Sequence, residues 1–174
     1  KAFINSSGTM YVIPRDRKDQ LMGYAYDGRL LFTSTKEFTQ GIDLLADDQG
    51  VYVLDQKEKQ VFRFDAQTGK RLAVFGDNVT DKLKKPVSIG FIQGQVMIFD
   101  AGKNNVHYFD LQGKYLKSIT INGIQSPVTA QSNQRDAFFI LDEKLNAILK
   151  YDPMGRPVPG VLRTGAGKPD EIQN

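Results

Sequence analysis

Few residues of this chain have side chains suited to acid–base or metal chemistry. The 174 residues include one histidine, His107, and no cysteine. This composition excludes a thiolate nucleophile and a disulfide, and it argues against a metal site that needs several histidines. His107 lies between Val106 and Tyr108 in an apolar segment, where we expect a structural or surface role. We therefore predict no metal ligands and no cofactor.

Aspartates recur in two sets, each at a fixed place in a repeated segment. The first set ends a short apolar segment and comprises Asp55, Asp100 and Asp142. The second set follows an aromatic residue further along and comprises Asp27, Asp65, Asp110 and Asp152. A catalytic pair should interrupt a repeat, whereas an aspartate at a turn accepts hydrogen bonds from its own backbone two residues on. We expect turn or loop roles and predict no catalytic residue.

A pattern of four apolar segments occurs four times and positions these aspartates. In the second copy the segments fall at 41–46, 51–55, 61–65 and 70–76, separated by turns rich in Gly, Asp and charged residues. The aromatic–Asp positions Asp65 and Asp110 are 45 residues apart, and Asp110 and Asp152 are 42 apart. Segments of four to seven residues rich in Val, Ile, Phe and Tyr are typical of short antiparallel strands. Sustained helical periodicity is absent from the sequence.

Four strands in each repeat of about 42 residues predict an all-β chain that forms a β-propeller. One such sheet cannot bury both faces alone, so it stacks on its neighbours as a propeller blade. We predict one domain over 1–174, with four-stranded antiparallel blades at roughly 1–37, 38–80, 81–122 and 123–163. Residues 164–174 are expected to lead toward a further blade. The ring is either a small propeller or an incomplete one.

The repeat resembles the NHL-repeat family over essentially the whole chain. The resemblance rests on Gly50 to Asp55, on Val61 to Lys70 and on their counterparts in the other copies. Two positions depart from the pattern: Pro14 stands where the repeat has a strand-ending Asp, and Asp136 stands where it has a turn Gly. Because NHL propellers usually have six blades, the resemblance implies a longer parent protein. Closure by a partner, or a true four-bladed ring, is the alternative.

The basic residues are concentrated in particular loops. In an up-and-down blade the turn between strands two and three and the connector between blades emerge at the same end. The candidate binding residues in these loops are Arg15, Arg17, Lys18, Lys57, Lys59, Lys82, Lys84, Lys85, Lys103 and Lys144. Asp16 and Glu58 dilute their charge, and the net charge of the chain is only +3. Both a solvated mixed-charge surface and a binding surface fit this pattern.

The leading functional prediction is a non-catalytic NHL-like scaffold or sensor that binds a protein through its loops. The partner is another protein or the remaining blades of a longer parent chain. RNA or polyanion binding is an alternative, although aromatic residues for base stacking are scarce in the loops. A metal-assisted hydrolase or lyase at the central channel is a second alternative. We expect an extracytoplasmic location, periplasmic or secreted, with the cytoplasm as the alternative, and no transmembrane segment because apolar runs are short.

Overall fold

The computed structural model describes residues 1–77, 82–159, 162–164 and 171–172. Over these residues the regular secondary structure consists of β-strands, arranged in four sheets. Strands adjacent in sequence are adjacent in each sheet, and consecutive strands of the repeats pair antiparallel. The predicted all-β fold of four-stranded antiparallel sheets is confirmed. We call the sheets blades 1 to 4 in chain order.

The chain divides into two compact units, which we describe separately. The first unit spans Lys1–Leu83 and contains blades 1 and 2. Blade 1 consists of β1 (Ala2–Ile4), β2 (Met10–Val12), β3 (Gln20–Tyr24) and β4 (Leu30–Thr35). Blade 2 consists of β5 (Gly41–Ala46), β6 (Gly50–Asp55), β7 (Gln60–Asp65) and β8 (Arg71–Phe75).

The second unit spans Lys84–Asn174 and contains blades 3 and 4. Blade 3 consists of β9 (Pro86–Ile92), β10 (Gln95–Asp100), β11 (Asn105–Phe109) and β12 (Tyr115–Thr120). Blade 4 consists of β13 (Pro127–Ser132), β14 (Phe138–Asp142), β15 (Ala147–Tyr151), β16 (Leu162–Thr164) and β17 (Glu171–Ile172). The last of these strands pairs parallel with β16. Residues of the predicted connector 164–174 thus add a fifth strand to blade 4, and most of that connector lies outside the described residues.

Alternation of side chains along each strand gives every blade two distinct faces. In blade 2 one face carries Val51, Val53, Phe62 and Phe64, and we call it the leading face. The opposite, trailing face carries Tyr52, Leu54 and Val61. These seven side chains are buried. Burial on both faces explains why β6 reads as a continuous apolar run rather than as alternating polar and apolar residues.

Within the first unit, the leading face of blade 2 packs against the trailing face of blade 1. The blade 1 side of this core consists of Tyr11, Ile13, Leu21 and Phe32. The Tyr11 hydroxyl also donates a 3.1 Å hydrogen bond to the carbonyl of Ala66 in blade 2. The buried phenol therefore has a partner for its polar end.

The second unit repeats this arrangement with different side chains. The leading face of blade 4 carries Phe138, Ile140, Leu149 and Tyr151. It packs in one apolar cluster with the trailing face of blade 3, which carries Met97, Phe99, Val106 and Tyr108. The Tyr108 hydroxyl donates to the carbonyl of Pro153 at 2.9 Å. One rule of packing thus holds in both units although the residues differ.

His107 is fully buried in β11, opposite Ile98 of β10. It occupies the leading-face position of blade 3 that corresponds to Phe62 in blade 2. Its position matches the expected structural role. In the described part of the chain, no helix is long and apolar enough to cross a membrane.

Candidate functional site

All ten predicted basic residues are exposed, and they lie in the loops that the repeat predicts. Arg15, Arg17 and Lys18 lie between β2 and β3, and Lys57 and Lys59 lie between β6 and β7. The remaining residues are Lys82, Lys84 and Lys85 before β9, Lys103 between β10 and β11, and Lys144 between β14 and β15. We call these loops the basic loops.

Two groups of basic residues come together within the units. In the first unit, Arg15 and Lys18 line a groove of about 300 Å³ together with Lys1, Ile13 and Ile42. In the second unit, Lys84 and Lys85 pack against Gly102, next to Lys103, where an added Cβ would lie 2.9 Å from the Cβ of Lys84. Lys144 occupies a different turn, in blade 4. The basic residues therefore form separate groups in different blades, and each group contains at most a few cations.

A fully buried carboxylate, Asp55, joins the basic loop between β6 and β7 to the connector before β5 at one end of blade 2. One oxygen, Oδ2, accepts hydrogen bonds of 2.6 Å from the main-chain N–H groups of Thr39 and Gln40, in the connector before β5. The other oxygen, Oδ1, accepts from the N–H groups of Lys57 and Glu58 at 2.8 and 2.9 Å. Four N–H donors thus compensate a negative charge that has no contact with solvent.

Asp100 has the same role in blade 3, where it is also fully buried. Its Oδ2 accepts from the N–H of Lys84 at 2.5 Å, and its Oδ1 accepts from the N–H groups of Lys85 and Gly102 at 2.7 and 2.8 Å. The carboxylate therefore joins the connector before β9 to the turn after β10. Two lysines with exposed side chains have their backbones held by this buried acid.

Asp142 is the third of these buried aspartates and lies in blade 4, where hydrogen bonds from the main chain change the pKa of its carboxylate. Its carboxylate accepts from the N–H groups of Gln125 at 2.6 Å, Leu145 at 3.0 Å and Ser126 at 3.1 Å. Burial by itself raises the pKa of Asp142, but hydrogen bonds from the backbone of Gln125, Leu145, Ser126 and Lys144 outweigh it and lower the pKa below its usual value. The carboxylate is therefore held in its charged form.

These buried aspartates extend the sequence prediction. The predicted bond from an aspartate to its own backbone two residues on is present, for example from Lys57 N–H to Asp55. The second set of bonds, to a connector 15 to 17 residues earlier, was not predicted. In blade 1 the corresponding position is Pro14, which has no carboxylate. The recurrence of Asp at one strand end was the available signal.

The second aspartate set forms exposed or half-buried turns at the opposite end of the blades. Asp65, Asp110 and Asp152 each accept a hydrogen bond from the main-chain N–H two residues later. Hydrogen bonds from Thr68 lower the pKa of Asp65. Their turn role is confirmed.

Blade 1 departs from the predicted alignment at this turn. The backbone of Ala25 makes the hydrogen bonds that Asp110 makes in blade 3, including acceptance from the glycine N–H three residues on. Asp27 lies two residues further along, inside the turn, and accepts from Arg29 N–H at 3.0 Å. The alignment that placed Asp27 at the end of the third strand is therefore wrong by two residues.

No group of three or more His, Cys, Asp or Glu side chains that could hold a metal ion occurs among the described residues. The recurring carboxylates instead accept several main-chain hydrogen bonds each. Chemically, the site consists of rigidly held loops that present exposed cationic side chains.

Known proteins resemble this chain in fold but not closely in sequence. No protein-family model matches it, and no curated protein matches it. Virginiamycin B lyase from Staphylococcus aureus superposes with a TM-score of 0.72 and 14% identity, over 97% of this chain and 56% of the lyase. A nidogen–laminin complex gives a TM-score of 0.66 with 18% identity, over 92% of this chain and 62% of the matched chain.

A third match has a different activity in its name. Hydrazine synthase from Kuenenia stuttgartiensis gives a TM-score of 0.72 with 14% identity, over 90% of this chain and 47% of the synthase. The chain therefore spans about half the length of several matched structures. The structural neighbours are β-propeller proteins, and the likeness establishes that fold for this chain. It does not select among their activities.

Proposed function

We propose that this chain is a non-catalytic, NHL-like propeller scaffold that binds a protein partner through its basic loops. The observation that carries the proposal is the set of buried carboxylates under those loops. Asp55 and Asp100 hold the main chain of Lys57, Lys84 and Lys85, whose own side chains are exposed. Loops with a fixed backbone lose little conformational entropy on binding, so they are suited to recognition.

The chemistry of the carboxylates favours a scaffold over a hydrolase or lyase. A general acid or base must have a free oxygen within reach of a substrate. Both oxygens of Asp55 and both of Asp100 already accept main-chain hydrogen bonds in fully buried positions. These groups therefore stabilise the loops rather than transfer protons.

The charge of the basic loops indicates the surface of the partner. Lys84, Lys85 and Lys103 lie around the turn between β10 and β11, whose backbone Asp100 holds. Positions 82 to 85 contain no acidic residue. An acidic protein surface is complementary to this arrangement, and the attraction between opposite charges raises the rate at which the two proteins associate. Binding of single-stranded RNA is less well supported, because the described residues of the basic loops include no aromatic side chain on which a base could stack. We propose an extracytoplasmic setting for this interaction.

The first test locates the binding surface. A photo-crosslinking amino acid is introduced at position 57 or 103, in basic loops, and at position 70 or 114, in the exposed turns at the opposite end of the blades. We expect positions 57 and 103 to capture the same protein and positions 70 and 114 to capture none. Equal capture at both ends would contradict the proposal.

The second test measures affinity with the captured protein after purification. Reversing charge with Lys84→Glu and Lys85→Glu should weaken binding by about tenfold or more, mainly because association becomes slower. The affinity should also depend less on salt concentration. The matched control, Lys70→Glu with Lys114→Glu, should leave affinity within about twofold. A labelled single-stranded RNA is titrated in parallel. Saturable RNA binding at physiological salt, abolished by the first pair of substitutions, would replace the protein-binding proposal.

A further inference from the structure

Asn122 is the one asparagine of this sequence that is followed by glycine. It lies in the connector between β12 of blade 3 and β13 of blade 4, where both Asn122 and Gly123 are exposed. The main-chain nitrogen after an asparagine can attack the side-chain amide, and a glycine hinders this attack least because it has no Cβ. The connector therefore combines a pair of residues suited to this reaction with access to water.

Hydrogen bonds do not hold the two reacting groups. Among the described residues, no partner binds the Asn122 side chain or the Gly123 N–H. The one bond of Asn122 is made by its main-chain oxygen, which accepts from the Tyr151 hydroxyl at 2.9 Å. An N–H group that donates no hydrogen bond loses its proton more readily than one whose neutral form is stabilised by a bond. The nucleophile and the amide it attacks are thus both free to react.

The other described asparagines are protected from the same attack. Oδ1 of Asn5 accepts a hydrogen bond from a main-chain N–H at 2.9 Å, and Oδ1 of Asn133 accepts from three such groups at 3.0 to 3.1 Å. The remaining three are each followed by a strand residue that has a Cβ, and they are Asn104, Asn105 and Asn146. Asn122 differs from all of them in its free amide and in the glycine that follows.

We propose that Asn122 deamidates spontaneously and that the carboxylate formed there weakens the binding of an acidic partner by the basic loops. The Gly123 nitrogen gives its proton to hydroxide and forms a bond to Cγ of Asn122. The side-chain nitrogen takes a proton from water and leaves as ammonia, which leaves a five-membered imide. One water molecule opens this ring at either carbonyl. Asparagine and water thus become ammonia and either aspartate or isoaspartate, in which the main chain runs through Cγ.

The new negative charge would lie beside a basic loop. The N–H of Ile121, which precedes Asn122, donates a 2.7 Å hydrogen bond to the carbonyl of Asn104. Asn104 follows Lys103 in the turn between β10 and β11. An anion at this place reduces the attraction of the surface for an acidic protein. This consequence rests on the proposed function, whereas the deamidation itself does not.

Isoaspartate would also strain the connector, because both of its ends are fixed. Ile121 and Ile124 are 2% and 9% exposed and belong to the apolar core of the second unit. The hydrogen bond from Tyr151 is made to the peptide carbonyl of Asn122 itself, beside the place where isoaspartate adds a carbon to the main chain. Isoaspartate should therefore destabilise the fold more than aspartate, which keeps the ordinary main chain.

The first test locates the modification in the full chain. The protein is incubated at physiological temperature in neutral and in mildly alkaline buffer, and samples are analysed by peptide mass spectrometry. We expect Asn122 to convert at least about tenfold faster than any other described asparagine, at a rate that rises with hydroxide concentration. Asn122→Gln should remove this conversion because its longer side chain closes a less favourable ring, and Asn133→Gln is the matched control. Conversion of Asn122 no faster than that of Asn133 would overturn the proposal.

The second test measures the effect of the new charge. Deamidated chains are separated by ion exchange, and their affinity is measured for a labelled polyglutamate peptide and for the protein captured at position 103. The deamidated chain and Asn122→Asp should bind about threefold more weakly than fresh protein, while Asn122→Gln should match fresh protein. In urea, the isoaspartate form should unfold at a lower concentration than Asn122→Asp.

The lysine variants separate this inference from the proposed function. If Lys84→Glu with Lys85→Glu weakens binding but deamidation does not, the effect of Asn122 on binding is overturned and the proposed function stands. If neither change weakens binding, the proposed function and the effect on binding both fail. The peptide map decides on deamidation of Asn122 in either case.

Discussion

The main-chain N–H of Lys84 lies 2.5 Å from the carboxylate of Asp100, although Lys84 is exposed and Asp100 is fully buried. The acid therefore interacts with the backbone of the lysine and leaves its ammonium group available to solvent. Asp55 holds Lys57 through the same kind of bond at 2.8 Å. A buried carboxylate that is stabilised by hydrogen bonds from main-chain N–H groups can thus hold a positively charged loop without pairing with its lysine side chains.

We expect Asp100→Asn to lower the free energy of unfolding by about 2–4 kcal/mol. The amide loses the charge that strengthens the bonds from Lys84, Lys85 and Gly102, and it directs an NH₂ group toward N–H donors. Urea unfolding of the full chain, followed by circular dichroism, measures this change. The control is Asp27→Asn, since Asp27 is exposed and asparagine supports the same turn. It should change stability by less than about 0.5 kcal/mol. Equal effects of the two substitutions would refute a special role for the buried acid.

Stability should fall in acid partly through Asp142. Its folded-state pKa is lowered from the usual value of 3.8, so its contribution is complete above the unfolded pKa and is lost as pH falls through the folded pKa. The difference in unfolding free energy between the wild type and Asp142→Asn should therefore be constant above about pH 5 and shrink below about pH 4. Urea unfolding at a series of pH values measures it. A difference that stays constant down to the acid limit would show that the pKa is not lowered.

Lys59→Asn should stabilise the chain by about 0.5–1 kcal/mol, since a left-handed backbone costs most side chains roughly 1–2 kcal/mol and asparagine less. Lys59 has a φ of 56° at the end of the β6–β7 turn. The corresponding turns of blades 3 and 4 have asparagine there, Asn104 and Asn146, with φ values of 55° and 49°. Thermal and urea unfolding measure the effect.

Lys57→Asn is the control for this substitution, because it removes the same charge from the same turn. Lys57 does not have a positive φ. We expect it to leave stability within about 0.5 kcal/mol of the wild type. If both variants gain equally, charge and not backbone conformation is responsible.

Sequence reasoning reached the blades because strand periodicity and turn residues are local properties. It also placed the basic residues in loops, since Lys57 or Lys103 can be located by counting strands. It could not find the hydrogen bond that the Gln125 N–H donates to Asp142, because the two residues are 17 positions apart and meet only when the carboxylate is buried. It misaligned Asp27 for a related reason. The aromatic–Asp pattern of Tyr26 and Asp27 matches the repeat, but strand pairing ends at Tyr24.

The surface against which each blade face packs could not be predicted from the sequence either, because it depends on strand register and on the neighbouring blade. Met10 and Val51 occupy corresponding positions and are similar in polarity, yet Val51 is fully buried and Met10 is not. Only the arrangement of blades distinguishes them. The sequence therefore predicts which residues can pack, and the structure reveals which of them have a neighbour.

Two turn glycines provide a test of how blades 1 and 2 fit together. Gly28 and Gly69 both precede a fourth strand and have φ values of 84° and 67°, where any other residue is strained. A Cβ added to Gly28 would meet nothing within 4 Å, whereas one added to Gly69 would overlap the Phe32 ring of blade 1. Replacing Gly28 by Ala therefore tests the backbone alone, and replacing Gly69 tests the backbone and the blade contact together.

We expect Gly28→Ala to lower the free energy of unfolding by about 1 kcal/mol and Gly69→Ala by about 2–4 kcal/mol, since overpacking adds about 1–3 kcal/mol to the strain. The double variant Gly69→Ala with Phe32→Leu should recover part of the additional loss, because the shorter side chain vacates the space that the ring occupies. Urea unfolding of all four proteins measures these differences. Equal losses for the two alanine variants, with no recovery in the double variant, would show that Phe32 does not pack on the turn of blade 2.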